Sequence, residues 1–330
     1  MKISEIEIAS YKEDGVVCLR GVLNSEELKG LRESIGEQIR TVGHSKTAYD
    51  FEAIARQLFD ENGSIEAGKA DRFDLTALKE IVEADPHARP LREEGVSGQD
   101  GMFLYEVGGW KKHRGIKRVA LDSSLPPIMA GLMDTTRVHF WEDTTFVKLP
   151  RTAQKTPFHQ DLSYFQTEGD KCAIVWIPLD TANLENGVTR YIKGSHKWDE
   201  IFAPSVFVAQ TTTRHSPYPR LPDIEADESK FDIVSFDVEP GDVIVHHVRT
   251  VHGAGGNPTS DPRRAISFRY CGDDVRFFDR PGAIPQVYTT HNLSNGDELF
   301  CADYPVVWPK PWPEMKLADA YEAQFPQGAL

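Results

Sequence analysis

His159, Gln160 and Asp161, followed much later by His252 and then Arg263, are the residues whose types and spacing could do chemistry. In an extended segment side chains alternate with a period of two, so His159 and Asp161 share one face. One metal ion can then take an imidazole nitrogen and a carboxylate oxygen from a single edge. His252, arriving from a distant strand, would complete two histidines and one carboxylate. That donor set leaves up to three adjacent coordination positions open, the arrangement associated with non-heme ferrous centres. Arg263, eleven residues after His252, could hold a dicarboxylate beside the metal, because a guanidinium binds carboxylates through paired hydrogen bonds.

A lone His-x-Asp arises often by chance. Read blandly, His159 is a loop histidine, Asp161 a turn cap and His252 a satisfied core residue. Order and context favour the metal: the third ligand stands about ninety residues on, before a Gly-rich turn and an arginine-bearing strand. Arg263 and Arg264 must face opposite ways on a strand. Arg263 shares its face with Ala265 and Ser267, small residues that leave room, whereas Arg264 shares its face with Ile266 and Phe268. Arg263 is therefore the inward candidate. His196 and His247 read as structural, and His246 alternates onto the face opposite His247. His113, His139, His215 and His291 show no ligand spacing. Tyr105, Trp110, Trp141, Phe146, Phe158, Tyr164 and Phe165 could wall a substrate side. Such walls suit apolar groups or an ammonium, and core packing should claim all but two or three of them.

The elements that must position these residues change character along the chain. Residues 24–40 read as an amphipathic helix capped by Asn24 or Ser25, with Leu28, Leu31, Ile35 and Ile39 at helical spacing. Further helix is expected near 48–60, 74–84 and 125–133. From about residue 100 the period shortens, and 102–107, 136–149, 172–179, 188–192, 233–238, 242–248 and 265–270 read as strands. Asn186-Gly187, Pro240-Gly241 and the Gly-rich run at 252–258 mark turns. Many short strands after a helical lead-in predict a mainly β fold with flanking helices, an antiparallel double sheet of jelly-roll type. One domain over 1–330 is expected: a helical lead-in to about 100, a core to 272, an insertion at 198–232 over one rim, and an extension from 275.

Composition narrows the rest. The net charge of −14 argues against a nucleic-acid or anionic-membrane surface. Cys18, Cys172, Cys271 and Cys301 are widely spaced with no CxxC pair, as expected of free thiols in a reducing compartment. No apolar run suggests a signal peptide or a membrane span, so a cytoplasmic protein acting on a small molecule is expected. Oligomeric state is not set by any of this.

The segments TPFHQDLSYF (156–165), VWIPLDTANLENGVTRYIKGSHK (175–197) and GDVIVHHVRTVHGAGGNPTSDPRRAIS (241–267) resemble the phytanoyl-CoA dioxygenase family of Fe(II)/2-oxoglutarate oxygenases. The resemblance covers roughly 140–272 well and the helical N-terminus more loosely. It implies a double-stranded β-helix, the cupin-like jelly roll. It also implies Fe(II) held by His159, Asp161 and His252, with 2-oxoglutarate and O2 as co-reactants and Arg263 on the distal carboxylate. Gln160 and Trp176 match positions lining the cosubstrate pocket in related enzymes, although Trp176 reads equally as an ordinary buried strand aromatic; Thr145 and Lys148 could donate hydrogen bonds there or be a plain outward-facing pair. Relatives often carry serine two residues after the second histidine; here it is Ala254. Related halogenases lack the carboxylate ligand, so Asp161 favours hydroxylation over halogenation, with succinate and CO2 released; desaturation, epoxidation or ring formation stay open, because substrate placement decides them. A binding module without turnover, or a non-redox metalloenzyme, stays the alternative on this fold. The family accepts acyl-CoA esters, amino-acid derivatives, small ammonium or phosphonate compounds and secondary metabolites, among which the acidic balance leans toward neutral or cationic molecules.

Overall fold

A computed structural model describes residues 3–59, 75–213, 216–283, 286 and 289–310. Strands, numbered in chain order, form two antiparallel sheets. The larger runs β1 (Val16–Leu19), β10 (Val243–His247), β7 (Cys172–Pro178), β12 (Arg263–Cys271), β4 (Val138–Lys148), β3 (Phe103–Val107) and β2 (Ala48–Asp50), with β14 (Val306–Trp308) also on β4. The smaller runs β5 (Thr156–His159), β11 (His252–Ala254), β8 (Thr189–Ile192) and β9 (Ile233–Ser235). A two-residue pair, β6 (Thr167–Glu168) with β13 (Arg276–Phe277), stands apart. The sheets make a jelly roll without closing into a barrel.

Alternation on the central strands gives each face of the larger sheet its own job. Val243 and Val245 of β10, Ala173, Val175 and Ile177 of β7, and Ile266, Phe268 and Tyr270 of β12 point outward into one apolar core. Helices α1 (Glu5–Asp14), α2 (Ser25–Thr41), α5 (Arg114–Asp122) and α6 (Leu125–Met133) close that core with Tyr11, Leu31, Ile35, Ile116 and Met129. Burying each such side chain stabilises by about 1.5–3 kcal/mol, so sheet and helices hold each other in register. On the inward face Trp176, Ile244 and Ala265 meet Val188 and Tyr191 from the side of the smaller sheet. This contact closes one end of the space between the sheets.

The expected α2 begins after Asn24, whose side chain accepts from the N–H groups of Glu26 and Glu27. Residues 48–60, expected to be helical throughout, divide instead. Ala48–Asp50 pairs with β3, and Asp50 then caps α3 (Phe51–Leu58) by accepting from Glu52 and Ala53; residue 60 lies outside the described residues. Helix α4 (Leu75–Ala84) falls where helix is expected. The Asn186-Gly187 turn exists, with Gly187 at φ +81° and its position pressed against the Gly256 carbonyl. It joins β7 and β8, which belong to different sheets, so it crosses between layers and closes no hairpin. The four cysteines are free; Cys172 and Cys271 face each other across β7 and β12 with sulfurs 3.7 Å apart. Among the described residues no helix is long and apolar enough to cross a membrane.

Candidate metal centre

Strands β5 and β11 are neighbours, and their register sets His159 directly opposite His252. The two imidazole centroids are 4.3 Å apart. After an extended Gln160 the chain turns into a 3₁₀ segment, Asp161–Tyr164, tied to the end of β10 by the bond from Leu162 N–H to the Val248 carbonyl at 3.0 Å. That turn returns Asp161 to the side of the histidines. Its Oδ1 lies 3.5 Å from His159 Nε2 and 4.0 Å from His252 Nε2. One donor atom from each of the three lies within 4.8 Å of the others, and all three residues are buried.

The other ring nitrogens decide what these donors can do. His159 Nδ1 is 2.8 Å from the Pro157 carbonyl and His252 Nδ1 is 2.9 Å from the Thr250 carbonyl. A carbonyl oxygen only accepts, so the proton sits on Nδ1 and the Nε2 lone pair stays bare. This is the backbone arrangement that fixes a metal-binding tautomer. Burial holds His252 well below the usual histidine range, with the charge on neighbouring His159 and His246 adding to it. Burial alone would raise Asp161, but His252, His159 and His246 around it more than offset that, and its carboxyl lies well below the usual range. Two imidazoles turned through Nε2 toward one carboxylate fit a divalent first-row metal with open positions.

The triad lies in a cavity between the sheets, lined also by Phe146, Trp176, Ser267 and Arg269. Arg263 enters it from β12, 2% exposed. Its guanidinium lies over the Trp176 ring at 5.9 Å, its Nη1 donates to the Phe146 carbonyl at 3.4 Å, and its Nε has no partner. Burial pulls it down to about 10. Arg264 points the other way and pairs with Asp180 at 2.6 Å.

The family model of phytanoyl-CoA dioxygenase (PhyH) matches residues 11–265. This chain belongs to that family. A phytanoyl-CoA dioxygenase of Arabidopsis thaliana is 30% identical over 279 residues, covering 80% of this chain and 87% of the relative. A probable phytanoyl-CoA dioxygenase of Caenorhabditis elegans is 27% identical over 126 residues, which span 38% of this chain and 39% of that protein. The epimerase SnoN, solved in complex with Fe3+, alpha ketoglutarate and nogalamycin RO, shares the fold at a TM-score of 0.60 and 19% identity, covering 92% of this chain and 98% of that one. By its family the protein is a 2-oxoglutarate-dependent oxygenase using iron and O2.

Gln160, which the resemblance matches to the cosubstrate pocket, lies elsewhere in this oxygenase, and Thr145 takes the outward-facing one of its two expected positions. Gln160 points away from the triad, as its place between two same-face residues requires: its Oε1 accepts from Phe202 N–H at 3.1 Å and its Nε2 lies 3.5 Å from the Glu200 carbonyl. Thr145 lies on the outward face of β4, where its hydroxyl donates to Gln38 of α2 at 2.9 Å. Lys148 is inward and fully buried, but its ammonium is committed to the Gly255 carbonyl at 2.6 Å and Thr156 at 3.2 Å. Burial, with Arg263 adjacent, holds it well below the ordinary lysine range. Trp176 and Ala254 line the cavity.

Of the aromatic candidates, Tyr105, Phe146, Tyr164 and Phe165 line the cavity. Trp110 is in the outer core and Trp141 stacks on Tyr304 at 4.1 Å. Phe158 packs with Ile192, Ile224 and Val251. His247 and His196 bond to the Asp170 and Lys12 carbonyls, away from the triad. His215 lies outside the described residues. Three cavity residues carry no sequence signal of their own. Phe207, from the 198–232 segment, lies 5.0 Å from the His159 ring. Arg269 sits on the inward face of β12 beyond Ser267, bonded to Thr144 at 2.5 Å and 3.6 Å from Glu142. His246 enters from β10, its ring 4.4 Å from that of His252.

Proposed function

We propose that this oxygenase hydroxylates a small molecule held in the cavity, with His159, Asp161 and His252 as iron ligands and Arg263 receiving the distal carboxylate of 2-oxoglutarate. One observation carries the reading: two histidines, each locked by a backbone carbonyl, aim bare Nε2 atoms at one carboxylate oxygen inside a buried cavity. When bound, the iron supplies the oxidising chemistry with O2 and 2-oxoglutarate, which leaves as succinate and CO2. The protein's part is to bind, orient and keep water out.

Arg263 meets no carboxylate among the described residues at ion-pair distance. A buried cation is costly unless it is paired, and a carboxylate bound against Trp176 would complete it. Ala265 and Ser267 leave room beside it. At the other end, Tyr164 and Phe207 stand against His159 with Tyr105 packed on Phe207, a wall suited to an apolar skeleton. The buried Arg269, held 3.6 Å from Glu142, adds a cationic group to the lining. Helices α1 and α2 pack on the same sheet that lines the site, which supports one oxygenase domain. The four free thiols suit a reducing cytoplasmic compartment.

The test is succinate formation from 2-oxoglutarate in air with added Fe(II), repeated across a panel of small metabolites. Metabolite-stimulated succinate with a product heavier by one oxygen is the expected result. A protein that takes up zinc but neither binds nor consumes 2-oxoglutarate would end the reading.

A further inference from the structure

We infer that His246 is a positioning residue: its Nε2–H holds the outer oxygen of Asp161, keeping that carboxylate bound to metal through one oxygen only. The inference rests on the ligand assignment above. It starts from the unequal company of the two carboxylate oxygens. Oδ1 faces His159 Nε2 at 3.5 Å and His252 Nε2 at 4.0 Å, whereas Oδ2 faces His246 Nε2 at 3.4 Å.

His246 differs from the two ligand histidines in the feature that makes them ligands. Its Nδ1 has no partner and its Nε2 has only the 3.4 Å approach to Asp161 Oδ2, longer than a well-formed hydrogen bond, although the residue is 2% exposed. No backbone carbonyl fixes a proton on its Nδ1, so nothing prepares a bare Nε2 for metal. An unpaired buried polar group calls for a partner, and the nearest anionic atom is Asp161 Oδ2. His246 also stands outside the group of donor atoms that lie within 4.8 Å of one another. It is packed in place by the Tyr191 ring at 5.1 Å and the His252 ring at 4.4 Å.

The consequence concerns coordination positions. A carboxylate that swung to bind through both oxygens would occupy a place needed by the keto acid or by O2. A donor on Oδ2 opposes that swing, and hydrogen-bonded partners of this kind orient ligands and raise metal affinity.

The test compares His246→Gln, His246→Asn and His246→Phe by anaerobic Fe(II) titration, 2-oxoglutarate titration of the Fe(II) protein, and thermal melting of the metal-free protein. The Gln amide reaches where Nε2 stood; the shorter Asn amide does not. Expected: H246N and H246F weaken Fe(II) binding by about 10–100-fold and weaken 2-oxoglutarate binding further, while H246Q stays within about threefold of the parent. Equal affinities for H246N and H246Q would overturn the proposal. So would H246Q losing metal as completely as His252→Ala, which would make His246 a ligand. If H246F alone melts early, the Asn and Gln pair decides. A parent that fails to bind Fe(II), or that keeps it after His252→Ala, would instead refute the ligand assignment itself.

Discussion

The two faces of β12 are equally buried and chemically opposite. Outward, Ile266, Phe268 and Tyr270 enter the helix-covered core; inward, Arg263, Ser267 and Arg269 line the cavity. Phe268 is 0% exposed and Arg263 only 2%, so burial does not separate stability from chemistry. Partnership of polar atoms does. On the outward side of these strands, the Tyr270 hydroxyl donates to the Ala120 carbonyl at 2.8 Å, and Thr145 to Gln38 at 2.9 Å. Inward, the Nε of Arg263 has none, and His246 has only the 3.4 Å approach of its Nε2 to Asp161 Oδ2. Satisfied polar groups finish a core, while unsatisfied ones on a rigid strand mark where something else must bind.

That contrast can be broken by substituting one face at a time. The largest effect belongs to the inner site: Asp161→Ala or His252→Ala should lower substrate-dependent succinate formation by at least about 10³-fold, with the metal-free melting temperature little changed. Substantial retained turnover would contradict the ligand roles. Phe268→Ala tests the outer face, where removing a buried ring should cost about 3–5 kcal/mol of stability by denaturant unfolding. Iron affinity of the folded protein should stay as it was; a parallel loss of metal would mean that the faces are not independent. Arg263→Leu should cost about 2–5 kcal/mol in 2-oxoglutarate binding by calorimetry. The metal-free protein should melt no earlier, because an unpaired buried charge is removed.

Smaller effects sharpen the same division. Thr145→Val should cost about 0.5–1.5 kcal/mol of stability through the lost bond to Gln38 and leave the KM for 2-oxoglutarate unchanged; a raised KM would return Thr145 to the site. On pH, burial pushes His139 down to about 4, and its Nδ1 is 2.9 Å from the Tyr304 carbonyl. The unfolded chain then takes up the proton first as pH falls, so this contribution to stability is complete above the ordinary histidine pKa near 6.5 and drains away toward pH 4. Denaturant midpoints of the metal-free protein measured across that interval should fall less steeply in His139→Phe than in the parent.

How far the sequence could be read follows from the same two faces. The direction of each β12 residue is legible because Ile266 and Phe268 are large and apolar while Ala265 and Ser267 are small. Strand β10 is different. Both faces of DVIVHHV are buried, so alternation says that His246 and His247 oppose each other without saying which one faces the cavity. Only pairing with β1 on one side and β7 on the other, with Val243 and Val245 drawn outward by the helices, settles it. Gln160 and Thr145 come from resemblance, and the local strand direction sends both away from the triad. Phe207 lies in a proline-bearing segment with no periodicity, where long-range contact alone places it beside His159. Strand β11 is three residues long inside a Gly-rich run, too short for any periodic signal, yet it delivers His252.

The central claim is most directly tested by anaerobic calorimetry of 2-oxoglutarate binding to the Fe(II)-loaded protein, with His252→Ala and Arg263→Leu run alongside. Expected are one molecule bound per chain in the parent, none detectable in H252A for want of the metal, and weakened binding in R263L with iron still in place. Undiminished 2-oxoglutarate binding in both variants would contradict the claim.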